Sequence, residues 1–258
     1  MALGESYRRI LNRLGYYDYQ HGFIVRHLSQ ETGWNNHLEK CRSFILKALE
    51  IHKPEKVTVL GSGWLLELPL AEMLEKVSKV CLVDIIHPPE VIKQVGGLQG
   101  VELKTEDISG GLIKEVWRRT SRIPFFGKLK SLNDLTIPEY KPDLDPGLVI
   151  SLNILTQLET LPVKYLKKKS KAGENELNRI RKEIQNKHIS FLRKHKSVLI
   201  TDVTEIFTDR SGNVSEKQSV ITDLPEGIHK EKWTWDFDQK GSDYYGKRSV
   251  FKVAAIII

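Results

Sequence analysis

Apolar residues along this chain fall into two kinds of run. Short, continuous β-branched or aliphatic runs stop at a glycine or an acid, and between them lie longer stretches with apolar positions every three or four residues. The first kind predicts strands buried on both faces, the second helices packed on them. Residues 57–84 are the clearest case. Val57-Thr58-Val59-Leu60 runs into Gly61-Ser62-Gly63, so a buried strand should end there in a tight turn. Leu65, Leu66, Leu68, Leu70, Met73, Leu74 and Val77, interleaved with Glu67, Glu72, Glu75 and Lys76, predict a helix over 64–77. Val80-Cys81-Leu82-Val83 is a second strand, and it stops at Asp84. Strand, glycine turn, helix, strand and acid make the layout of a nucleotide-binding βαβ unit, with the acid about 20 residues past the glycines, where ribose hydroxyls can donate to it.

The same reading extends in both directions. Trp34, Leu38, Cys41, Phe44, Ile45, Ala48 and Leu49 predict a helix over 34–51, which Pro54 ends. Residues 1–33 mix aromatic and polar side chains (Tyr16, Tyr17, Tyr19, His21, Phe23, Arg26, His27), and Gly15 and Gly22 should cut them into short pieces. Residues 1–52 are therefore expected to form an N-terminal helical cap, and 53–258 the main α/β domain. Downstream, helices are predicted over 89–95, 112–117, 162–169 and 174–196, and strands over 101–104, 147–153 and 197–203. Before the strand at 147, Pro124, Gly127, Pro138, Pro142 and Pro146 punctuate a stretch about 25 residues longer than a connection needs. Residues 121–146 are thus expected to be an insertion or lid, with Phe125-Phe126 as its anchor. The last two strands, 232–237 and 248–258, have no helix between them, so they should pair as an antiparallel hairpin. The expected fold is a Rossmann-like, doubly wound seven-stranded α/β sheet, mostly parallel, with that hairpin at its C-terminal end.

Composition narrows the class. With 258 residues and 40% hydrophobic content the chain can bury a large core, which excludes a disordered protein. No apolar run approaches the ~20 residues of a membrane helix. The first residues carry no apolar signal core, and Cys41 and Cys81 sit in apolar patterns without ligand spacing, so reduced, buried thiols and a cytoplasmic location are expected. The net charge of +7 invites a polyanion, but much of the excess lies in 164–196, where a solvated helix face is the simpler reading of Lys167-Lys168-Lys169-Ser170-Lys171. Nucleic acid is therefore not the favoured partner. His21, His27 and His37 lack companions that would complete a metal set, so no metal is expected. Trp233 and Trp235 read as core rather than as a stacking platform.

The glycines separate two classes of enzyme that share the first βαβ unit. A dinucleotide fold needs Gly-x-Gly-x-x-Gly so that the helix can approach a pyrophosphate, and the third position here is Leu66. S-adenosylmethionine has no phosphate and makes no such demand. With five strand–helix repeats and a terminal hairpin, residues 34–258 resemble the class I S-adenosylmethionine-dependent methyltransferases. The resemblance implies that Gly61, Ser62 and Gly63 form the cofactor's glycine turn and that Asp84, followed by Ile85, binds the ribose. It implies that Asp107, with Ile108, lies near the adenine amine, and that Ser151 and Asn153 face cofactor and acceptor. Arg26 and His37 are candidates for the methionine carboxylate.

The motif departs from the family at Val59, where an acid is common, and at Leu65, where a third glycine is common, so it is a degenerate form. The fourth strand carries no Asp/Asn-Pro-Pro-aromatic signature and no Pro-Cys pair, so neither the acceptor (small molecule, RNA or protein) nor a catalytic base is defined. The expected activity is methyl transfer from S-adenosylmethionine. The alternatives are an NAD(P)-dependent oxidoreductase and a non-catalytic Rossmann-like module that binds RNA through its basic long helix.

Overall fold

A computed structural model describes residues 4–30, 32–121, 127–242 and 246–258. Phe125-Phe126 lies outside the described residues. Three helices come first: α1 (Glu5–Leu14), α2 (Tyr16–Ser29) and α3 (Asn35–His52). Then follow β1 (Lys56–Leu60), α4 (Leu70–Lys76), β2 (Lys79–Asp84), α5 (Pro89–Val95), β3 (Val101–Thr105) and α6 (Leu112–Thr120). After the long connection come β4 (Leu148–Leu152), α7 (Gln157–Lys169), α8 (Glu174–Leu192) and β5 (Ser197–Thr208). The chain ends with β6 (Val214–Gln218), β7 (His229–Asp238) and β8 (Arg248–Ile257).

The sheet order is β3-β2-β1-β4-β5-β8-β7, with β6 paired to β5 off this path. The strands from β3 to β5 are parallel. Strand β8 runs antiparallel between β5 and β7. The fold is thus a Rossmann-like doubly wound α/β sheet with an antiparallel C-terminal pair, as the run pattern predicts. The winding reverses between β1 and β4, and in such sheets the crevice at the carboxyl ends of those two strands is where ligands bind.

Side chains alternate between two cores. Val57 and Val59 of β1, Val80 and Leu82 of β2, and Leu148 and Ile150 of β4 join Phe44, Ile45 and Met73 of α3 and α4. Cys81 and Val83, Val149 and Leu199 join the opposite core, built with α6, α7 and α8. This period of two is what a strand covered on both faces requires. Trp233 and Trp235 are buried, as are the two unpaired cysteines. Among the described residues no helix is long and apolar enough to cross a membrane.

Two local expectations need correction, and two further features were not foreseen. The helix expected over 64–77 begins only at Leu70. Gly61, Gly63 and Leu65 all have left-handed backbones (φ 81°, 50° and 61°), which a right-handed helix cannot include. Leu65 and Leu68 are nonetheless buried, so their spacing reflects a loop packed on the core. Gly22 does not interrupt its helix; Gly15, at φ 88°, makes the only break between α1 and α2. Strand β6 carries no apolar alternation, because all five of its residues are exposed. Finally, 127–146 lies against α8 through Leu132, Leu135 and Ile137, which are buried in the second core. Arg179 Nη2 donates to Leu132 O at 2.9 Å, and Lys187 Nζ donates to Ile137 O.

Candidate ligand-binding site

A narrow cleft opens at the carboxyl ends of β1 and β4. Its floor comes from four strand ends: Gly61 and Gly63 after β1, Asp84 and Ile85 after β2, Glu106 to Ser109 after β3, and Asn153 and Ile154 after β4. Its roof is α2, which contributes Tyr16, Tyr19, Gln20 and Phe23. Two hydrogen bonds tie roof to floor. Trp64 Nε1 donates to Gln20 O at 3.0 Å, and Gln20 Nε2 donates to Ile86 O at 3.4 Å.

The two glycines do different work. A Cβ on Gly61 would stand 2.7 Å from Ile154 Cβ and 2.9 Å from Leu152 O, so β1 and β4 can close together only if this residue lacks one. A Cβ on Gly63 would meet nothing nearer than Gly61 O at 4.0 Å. The Gly63 N–H donates to Asp84 Oδ2 at 2.8 Å, while Asp84 Oδ1 accepts from Ile85 N at 2.7 Å and Ile86 N at 3.4 Å. Asp84 thus pins the turn after β1 to the turn after β2. Burial raises its pKa, and the backbone donors, Gly63 first, oppose that rise. A carboxylate has about four acceptor positions, so capacity for a ligand hydroxyl remains after these three bonds.

Asp107 is half-buried, and desolvation raises its pKa. Its Oδ1 accepts from the Ser109 N–H at 3.0 Å and from the Ser109 hydroxyl, and its Oδ2 accepts from Tyr7 Oη at 3.1 Å. The Tyr7 phenol is raised, first by burial and then by the Asp107 charge. This bond draws α1 onto the end of β3. Beside it, Tyr140 Oη donates to Glu106 Oε2 at 2.6 Å.

Asn153 sits in a left-handed backbone, φ 49°, at the end of β4. Its Nδ2 lies 3.2 Å from His37 Nε2 and 3.4 Å from Glu67 Oε1. Its Oδ1 is buried without a partner among the described residues. His37 is fully buried and stacked on Trp235 at 3.8 Å. The Trp233 indole can only donate, so its bond to His37 Nδ1 at 3.1 Å makes that nitrogen an acceptor.

The residues singled out from sequence therefore separate. Gly61, Gly63, Asp84, Ile85, Asp107, Ile108 and Asn153 line one cleft. Ser151 points to the other layer, with its hydroxyl 2.8 Å from His188 Nε2, and Ser62 is buried beneath the turn. His37 supports Asn153 from behind and does not line the cleft. Arg26 lies in an adjoining cavity, its guanidinium 4.5 Å above the Phe237 ring. The residues that sequence reasoning left out are Tyr16, Tyr19, Gln20 and Phe23 of the roof, with Trp64, Glu67 and Gln157. The density of aromatic residues in 1–33 was the available signal for the roof. Among the described residues no group of three or more His, Cys, Asp or Glu side chains could hold a metal ion.

No family model matches this chain, and no curated protein matches it. Solved structures do resemble it. The methyltransferase domain of bacterial CtHen1 is 10% identical, with 83% of this chain and 95% of that one covered at a TM-score of 0.34. The N-methyltransferase NodS from Bradyrhizobium japonicum WM9, in complex with S-adenosyl-L-homocysteine, is 11% identical, with 84% and 85% covered at 0.32. A DhpI–SAH complex is 11% identical, with 96% of each chain covered at 0.37.

Proposed function

We propose that this chain binds S-adenosylmethionine in the cleft and transfers its methyl group to a separate acceptor. One observation carries the reading: the ends of β1, β2, β3 and β4 converge on a single cleft at the switch point, with a carboxylate after β2 and another after β3. The lining fits the cofactor in detail. Asp84 has acceptor capacity for the ribose diol. Gly63, with open space where a side chain would be, admits close approach to the backbone. Asp107 and Ile108 line the same cleft, and in this reading the Asp107 carboxylate accepts from the adenine amine. The turn also speaks against a pyrophosphate, because α4 begins only at Leu70 and no helix N-terminus is delivered beside Gly61.

Bound S-adenosylmethionine supplies an electrophilic methyl on a sulfonium sulfur. The protein's part is proximity and orientation: the strand ends hold one reactant, and the aromatic roof excludes water. The acceptor enters from the side where Asn153 and Tyr19 border the adjoining cavity.

Thermal shift and calorimetry with S-adenosylhomocysteine and with NAD test the assignment, since a ligand stabilises the folded form it binds. We expect S-adenosylhomocysteine to bind, and Asp84→Ala to weaken it at least tenfold. A larger stabilisation by NAD would overturn the reading, and an unchanged affinity in Asp84→Ala would remove Asp84 from the site.

A further inference from the structure

We infer that the cavity adjoining the cleft is a pocket for an acceptor molecule that carries a protonated amine, the ammonium anchoring the molecule on Asp202 as counter-ion and not itself receiving the methyl group, with aromatic side chains around the apolar body. The inference takes up the acceptor side of the methyl-transfer reading and rests on it for the reaction, but not for the binding. The cavity shares Tyr19, Phe23, Asn153, Gln157 and Leu161 with the cleft, so a ligand in one space abuts a ligand in the other.

The charge inside is the first argument. Three carboxylates on the wall, Asp202, Glu205 and Glu159, are more than nine-tenths buried. Glu159 is matched by Arg181, whose Nε donates to it at 2.8 Å. Glu205 accepts from Ser249 Oγ at 2.7 Å. Asp202 accepts from Thr156 Oγ1 at 2.6 Å and also from Ser219; burial raises its pKa, these hydroxyls oppose the rise, and no cation pairs with it among the described residues. Arg26, half-buried, also lines the cavity, with its guanidinium 4.5 Å from the centre of the Phe237 ring. Arg13, Lys164, Lys168 and Lys217 also line the cavity but are exposed. Water and salt screen exposed charges over roughly 8–10 Å, whereas a buried carboxylate keeps its field. Tyr19, on the wall between the two spaces, reports that field. Tyr19 is 41% exposed there, so it marks the mouth of the cavity, with desolvation first and then Asp202, Glu205 and Glu159 raising its phenol and Arg26 opposing.

Unpartnered polar atoms are the second argument. Asn153 and Trp235 both line this cavity, and both are more than nine-tenths buried. Asn153 Oδ1 has no donor and Trp235 Nε1 has no acceptor among the described residues. Leaving such groups unpaired is costly, so both call for a ligand or ordered water. An ammonium donates to Asp202, and an oxygen elsewhere on the same ligand can accept from Trp235. Phe23, Phe237 and Phe251 complete an apolar wall around such a molecule.

Tyramine, its neutral counterpart tyrosol and the anion phenyl phosphate are the probes, titrated by calorimetry into the protein without cofactor. We expect tyramine to bind at least tenfold more tightly than tyrosol, and phenyl phosphate more weakly still. This comparison needs no variant. In Asp202→Asn, whose side chain can still accept from Thr156, we expect tyramine affinity to fall at least tenfold while S-adenosylhomocysteine affinity stays unchanged. Tyrosol or phenyl phosphate binding as tightly as tyramine would overturn the inference. So would an Asp202→Asn protein that binds tyramine like the parent, or one that loses S-adenosylhomocysteine instead. If tyramine discrimination holds but S-adenosylhomocysteine fails to bind, the pocket stands and the methyl-transfer reading falls.

Discussion

Gly61→Ala and Gly63→Ala differ from each other by a calculable amount. At Gly61 the backbone is left-handed, φ 81°, which costs an L side chain about 1–2 kcal/mol. The new Cβ would also stand 2.7 Å from Ile154 Cβ and 2.9 Å from Leu152 O. Neither is the tip of a flexible side chain, so β1 and β4 must separate, an overpacking strain of about 1–3 kcal/mol. Together these come to about 2–5 kcal/mol. At Gly63, φ 50°, only the backbone contribution applies, because the new Cβ meets nothing closer than 4.0 Å. For a chain of this size each kcal/mol moves Tm by roughly 2–4 °C. Calorimetry should therefore show Gly61→Ala melting roughly 4–20 °C below the parent and Gly63→Ala roughly 2–8 °C below it. An equal loss in the two variants, or a larger loss at Gly63, would refute the claim that Gly61 is required by the closeness of β1 to β4.

Two further predictions concern stability. His188 is buried, and burial lowers its pKa to about 4, against an ordinary value of 6.5. Between those values the unfolded chain takes up a proton that the folded chain refuses. Its contribution is therefore intact above pH 6.5 and is lost as the pH falls towards 4, by roughly 2 kcal/mol at pH 5. The drop in Tm from pH 7 to pH 5 should be several degrees larger in the parent than in His188→Gln; equal drops would refute it. Lys53 closes α3 in a left-handed backbone at φ 43° and is exposed. Glycine suits that position, so Lys53→Gly should raise Tm by about 1–3 °C, and a fall would count against the strain assigned there.

Much of the molecule was legible in the sequence because strands buried on both faces leave continuous apolar runs, and such runs end where the backbone must turn. That is why residues from distant parts of the chain, Gly61, Asp84, Asp107 and Asn153, could be named before their cleft was visible. The reading failed where one pattern serves two structures. Leu65 and Leu68 have helical spacing but belong to a loop, since apolar spacing records burial and not backbone angle. Strand β6 was silent because an exposed strand has no buried face to mark it. Ser151 and Asn153 sit two apart on one strand end and look alike as candidates. Yet Ser151 turns to His188, and the left-handed backbone of Asn153 turns its side chain towards the cleft.

What the sequence determined by itself is the alternation of strands and helices and the antiparallel end of the sheet, because these follow from local periodicity and from turns within the chain. What only the tertiary structure decided is which side chains share a space. The roof of α2 over the strand ends, His37 held behind Asn153, and Asp202 buried beside Trp235 in a second cavity all depend on contacts between segments far apart in sequence, and no periodicity encodes those contacts.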